Sequence, residues 1–223
     1  MSVSDTASAL ERDRTSKPWA FWMLRYIATD DTEAMNDLIW SVGGSPPYGG
    51  VSYEEAEAVY ELIEDFRGPG EASDERYRRV ESYIKNDAER QQALAAFRCC
   101  DEITSSPGSF TCKPVDRGLT LARETGHRGV EAAFLCYQSD YQLRKGDLKG
   151  ARDSTKEALD RYLALVDADP AYANRIRQNS QNLISFTAMA GDVPGALKLL
   201  QGLGELLPPE DADQLRQALQ ARL

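Results

Sequence analysis

Residues 146–151 read GDLKGA and residues 191–196 read GDVPGA, so four of six letters recur in register 45 residues apart. Each stretch follows a helical run. A glycine just past a helix supplies the left-handed conformation that other residues enter at a cost. Gly146 and Gly191 therefore mark helix ends. Asp147 and Asp192 come next, where a carboxylate oxygen caps the following helix. Pro194 falls in the first turn, where its missing N–H is no loss. Ala151 and Ala196, flanked by Gly150 and Gly195, leave room for two antiparallel helices to approach closely. Each corner is a helical hairpin, and it recurs.

Helix signals continue outward in both directions. Ser16 with Pro18 opens a first helix, PWAFWMLRYIA, and TEAMNDLIWSV carries a second. Trp19, Trp22 and Trp40 lie on these two, at spacings that predict packing against the next helix pair. GGSPPYGG (43–50) is a loop. Ser52 and Glu55 form a capping box for a helix with an apolar stripe of Val59, Leu62, Ile63 and Phe66. Its acids are expected on the opposite face, and RGPGEAS ends it. A helix from about Asp74 to Ile84 stops at KND, with Asn86 as the cap of a helix reaching about Ile103. SSPGSFTCKP is a loop, and six helical stretches follow it. The expected fold is all-α, with about eleven helices.

Composition narrows the function. Of 223 residues, 42% are hydrophobic and 28% charged, a globular balance. No apolar run reaches the length of a membrane span. The N-terminal MSVSDTASALERDRTSK does not read as a secretory signal, so a cytoplasmic protein is expected. The net charge of −10 is uneven: residues 1–112 hold 21 acids and 11 bases, residues 113–223 hold 15 of each. The stretch 54–75 has nine acids and only Arg67 as a base. Such a chain is repelled by phosphate backbones and tolerates a basic partner.

Cys99, Cys100, Cys112 and Cys136 match neither a zinc nor a C-x-x-C pattern. They read as buried free thiols of a reducing compartment, or else Cys100 and Cys112 bridge the intervening loop. The one histidine, His127, sits between helices and makes no metal site. No phosphate-cradling glycine motif occurs. No cofactor, metal or catalytic group is expected.

The duplicated corner, with Ala151 followed by Ala158 seven residues on, resembles the tetratricopeptide repeat. An earlier unit fits with Val115 and Ala122 at the same places, while Ala196 is followed by Leu203, a departure. The resemblance spans about 87–206 and is weak over 1–86. It implies a right-handed superhelix of antiparallel helical hairpins. Residues 1–86 then form an N-terminal helical region packed on the repeats, and 87–223 the repeats with a C-terminal capping helix near 209–221.

The resemblance also implies binding, because the family's first helices line a groove for a peptide or a partner's helix. Tyr137, Asp140, Tyr141 and Arg144 share one face of the second unit's first helix. Arg175, Gln178, Asn179 and Asn182 make a polar row in the third. Amides both donate and accept, which suits a peptide backbone. The family's basic clamp for a C-terminal carboxylate is absent as a set, since Asp140 stands where a neutral amide is wanted. The expected role is a protein- or peptide-binding regulator, adaptor or assembly factor. The alternatives are the peptide-sensing part of a transcriptional system and a structural self-associating protein whose groove or tryptophan-rich N-terminal end serves a homodimer.

Overall fold

Gly146 and Gly191 take φ values of 79° and 89°. After each, the aspartate N–H reaches back to close the helix end, Asp147 to the Gln142 carbonyl at 2.9 Å and Asp192 to the Thr187 carbonyl at 3.2 Å. The same aspartates then cap the next helix. Asp147 accepts from the Gly150 N–H and Asp192 from the Gly195 N–H, both at 2.8 Å. The corner thus works twice, as stop and as start.

A computed structural model describes residues 18–44, 48–68 and 72–221. Among them are eleven α-helices and no strand. They are α1 (Trp19–Thr29), α2 (Thr32–Gly43), α3 (Tyr53–Arg67), α4 (Asp74–Tyr83), α5 (Ala88–Thr104), α6 (Cys112–Thr125), α7 (Arg128–Arg144), α8 (Leu148–Leu163), α9 (Ala173–Met189), α10 (Val193–Leu203) and α11 (Pro209–Gln220). No described helix is long and apolar enough to cross a membrane. Ser16, the N-terminal stretch through residue 17 and parts of two expected loops (45–47 and 69–71) lie outside the described residues.

The chain forms two compact units, divided between Gly126 and His127. In the first of them α5 packs on α1 and α6. Its Phe97 meets Phe66 of α3 with ring centroids 4.6 Å apart.

The first unit holds α1 to α6. Val59, Leu62 and Ile63 are fully buried, as the α3 stripe requires. Glu55 departs from the expected outer face. Its N–H donates to the Ser52 hydroxyl at 3.2 Å, but its carboxylate turns inward. It accepts from the Trp19 indole N–H at 2.9 Å and from Arg90 at 3.1 Å. Trp19 and Trp22 are buried as expected, whereas Trp40 is 51% exposed. The α5 cap is Asp87, which accepts from the Arg90 N–H at 3.0 Å, not Asn86. The acids of α3 are partly answered by α4: Arg79 pairs with Glu57 at 2.8 Å, Arg76 with Asp65 at 3.0 Å, and both with Glu61.

The carboxylate of Asp101, 0% exposed, is the polar centre of this unit. It accepts from the Tyr77 hydroxyl at 2.8 Å, the Ala72 N–H at 3.0 Å and the Ser105 hydroxyl at 2.9 Å. All four cysteines are free thiols, so Cys100 and Cys112 do not pair.

The second unit holds α7 to α11. Helix α8 packs against α7 on one side and α9 on the other. Ala151, Ala158 and Ala196 are all 0% exposed. Ile184, Leu200, Leu207 and Leu219 close the core beneath α11, the helix expected as a terminal cap.

The glycine that follows each capping aspartate has a packing reason. A Cβ on Gly150 would stand 2.8 Å from the Asp147 Cγ, inside contact distance. Asp147→Ala should therefore cost about 1 kcal/mol through the lost cap. Gly150→Ala should be better tolerated in the Asp147→Ala background than in the parent, with the Gln142 side chain, 3.0 Å from the added Cβ, still holding the helical gain down. A urea-denaturation double-mutant cycle checks this; additivity would refute it.

Two tyrosines bias the fold against alkali. Burial raises the Tyr77 phenol far above its ordinary 10, with the Asp101 carboxylate adding to it. Burial likewise raises Tyr162, with Cys136 contributing. Each keeps its proton in the folded chain at pH values where the unfolded chain loses it. Stability is thus intact below about pH 10 and falls above it, by up to about 1.4 kcal/mol per pH unit for each tyrosine. Denaturant melts across this range should show the decline, and Tyr162→Phe should make it shallower.

Candidate functional site

The expected contact row lies on α7 and α9 of the second unit. On α7, Tyr137 and Tyr141 are half-buried while Asp140 and Arg144 are exposed. On α9, Gln178 is exposed and Asn182 half-buried. Arg175 and Asn179 are buried, at 7% and 3% exposure. The row is therefore not open along its whole length. Arg175 and Asn179 are covered, and the other six residues are half-buried or exposed.

The two helices meet at a residue that periodicity did not single out. The Cys136 thiol of α7 donates to Asn179 Oδ1 at 3.2 Å. Asn179 Nδ2 donates to the Arg175 carbonyl at 2.8 Å, and Arg175 Nη1 to Gln178 Oε1 at 3.3 Å. Both ends of the Asn179 amide are thus engaged inside the protein. Burial pushes the Cys136 thiol up, against the pull of Arg175 and the hydrogen bond to Asn179. In this contact Cys136 serves as a hydrogen-bond donor.

Asp140 joins the two rows electrostatically. The neighbouring helices crowd its carboxyl and raise it above its ordinary 3.8, while Arg144 and Arg175 draw it back down. Its outer edge remains open to solvent. Tyr137 stacks edge-on to Phe134 at 5.9 Å, and the Lys145 ammonium lies 5.5 Å from the centre of the Tyr141 ring. These contacts limit the tyrosine rotamers, which lowers the entropy cost of any contact they make.

Helix α8 supports the row from behind. Ser139 donates to the Ala151 carbonyl at 2.9 Å and shares a 2.7 Å hydrogen bond with Thr155. Ser154 donates to Gln142 at 2.8 Å. Arg161 pairs with the buried Glu131 at 2.9 Å. The α7 face opposite the row is thereby spent on α8, which leaves the tyrosines turned the other way.

The arrangement offers hydrogen bonding, aromatic contact and charge of both signs. His127 occupies the N-cap position of α7 without a side-chain cap. No group of three or more metal-ligating side chains occurs among the described residues. Comparison with protein-family models, with curated proteins and with solved structures finds no match.

Proposed function

We propose that this chain is a binding module of tetratricopeptide type that takes an extended peptide or a partner's helix along α7 and α9. The observation that supports this reading is the Cys136–Asn179 hydrogen bond, which ties α7 to α9 beside the buried Arg175. Tyr and Arg anchor interfaces more often than other residues, and Tyr137, Tyr141 and Arg144 lie on α7, the helix that carries Cys136. Gln178 and Asn182 are the amides left accessible for a peptide backbone. The role fits a regulator, adaptor or assembly factor, including the peptide-sensing part of a transcriptional system.

A second reading has its own support. Trp40 and Tyr53 are 51% and 60% exposed in the first unit, beside the acidic α3. An exposed tryptophan of this kind suits a contact surface, either for a basic partner or for a second copy of the chain.

An affinity capture with intact-mass identification separates the two. Tyr141→Ala should weaken the captured partner by about ten-fold or more, with Asn182→Ala in the same direction. Loss on Trp40→Ala alone, with both α7–α9 variants retaining the partner and their fold, moves the contact to the first unit.

A further inference from the structure

A cavity of about 880 Å³ opens in the first unit among α4, α5 and α6, away from every residue considered so far as a partner contact. Its volume falls in the range of about 300–1,000 Å³ that small-molecule sites occupy. The walls are apolar: Ile84, Leu94, Ala95, Leu121 and the ring of Tyr77. Cys99 joins them as a thiol, which burial pushes up.

The rim is cationic, in a chain whose net charge is −10. Arg78, Lys85, Arg98 and Arg117 all border the cavity, with Glu81 as the acid among its lining. Two of these cations are held in place by neighbours. Arg98 pairs with Asp74 and lies 4.9 Å from the centre of the Tyr77 ring. Arg117 pairs with Glu102 through both carboxylate oxygens. Arg78 reaches Asp74 only at 3.9 Å. Lys85 has no ion-pair partner among the described residues. Against Glu81, Asp74 and Glu102, the four cations leave one positive charge uncompensated.

An apolar chamber with a single surplus cation at its mouth selects a particular chemistry. A neutral apolar molecule leaves the rim charge unanswered, and inorganic phosphate gains nothing from the walls. We propose that the cavity binds a monoanionic amphiphile, a carboxylate joined to an aliphatic or aromatic body. The carboxylate sits at Lys85 and Arg78, and the body lies against Leu94, Ala95 and Leu121. This site is independent of the α7–α9 reading, and either stands without the other.

The test is calorimetric titration of the full chain with decanoate and with 2-naphthoate, and with decan-1-ol as the uncharged comparison. Two variants probe the two halves of the site. Lys85→Glu inverts the rim charge, and Ala95→Trp fills the chamber from a solvent-exposed helix position. Circular dichroism confirms that both fold. One-to-one binding of a carboxylate is expected, weakened at least about ten-fold by Lys85→Glu and removed by Ala95→Trp. Decan-1-ol should bind about ten-fold more weakly than decanoate. No saturable binding of either carboxylate up to about 1 mM overturns the proposal. So does equal affinity for decanoate and decan-1-ol, or binding that neither substitution changes.

Discussion

Asp101→Ala should destabilise the first unit by about 3–5 kcal/mol. The carboxylate is fully buried and accepts three hydrogen bonds. Its removal strands two donors in the interior, the Tyr77 hydroxyl and the Ala72 N–H. Each buried donor left without a partner costs about 1–3 kcal/mol, and more where the lost acceptor was charged. Asp101→Asn keeps one acceptor oxygen and should cost less, about 1–2 kcal/mol. Asp153→Ala, at an exposed position, is the control and should be near neutral. Urea melts give the comparison directly. An Asp101→Ala midpoint close to the parent would mean that the Tyr77 and Ala72 donors find water instead, and that this polar centre is not sealed.

Ala151→Leu should cost about 1–3 kcal/mol through overpacking. Ala151 is 0% exposed at the crossing of α7 and α8, and its carbonyl accepts from Ser139 across that crossing. Three added carbons have no free volume to enter, so the helices must separate and the Ser139–Thr155 bond must stretch. Lys149→Leu, two residues earlier and exposed, should change stability by no more than about 0.5 kcal/mol. Equal melting of Ala151→Leu and the parent would show that the crossing is loose. Because Ser139 and Tyr141 lie on the same helix, a displaced α7 should also weaken whatever binds at the tyrosine row.

The interactions legible in the sequence share one property: their partners lie within about one helical turn. The left-handed glycines at 146 and 191, the Asp147 and Asp192 caps and the Ser52 cap all connect residues up to five positions apart. Backbone stereochemistry decides such contacts without knowledge of the remainder of the chain. The helical stripes are legible for the same reason, since period alone places Val59, Leu62 and Ile63 on one face. Even here a single step can be missed. Asn86 and Asp87 are both able to cap, and only the extended backbone at Asp87 chose between them.

What periodicity cannot supply is the identity of the opposing surface. Glu55 reads as an exposed acid until Trp19 and Arg90, 36 and 35 residues away, turn it inward. Trp40 reads as core until α2 is seen to present it to solvent. Arg175 and Asn179 read as open members of a polar row until Cys136, 43 residues before Asn179, takes the amide oxygen. The faces of α7 and α9 were thus visible in the sequence, but their depth was not. The cavity beside Lys85 was invisible for the same reason, since three helices contribute to it. The sequence by itself determined where helices start, stop and turn, because those choices rest on local dihedral and capping energies. Only the tertiary structure decided which polar groups are buried and which remain open to a ligand, because that depends on pairings between helices distant along the chain.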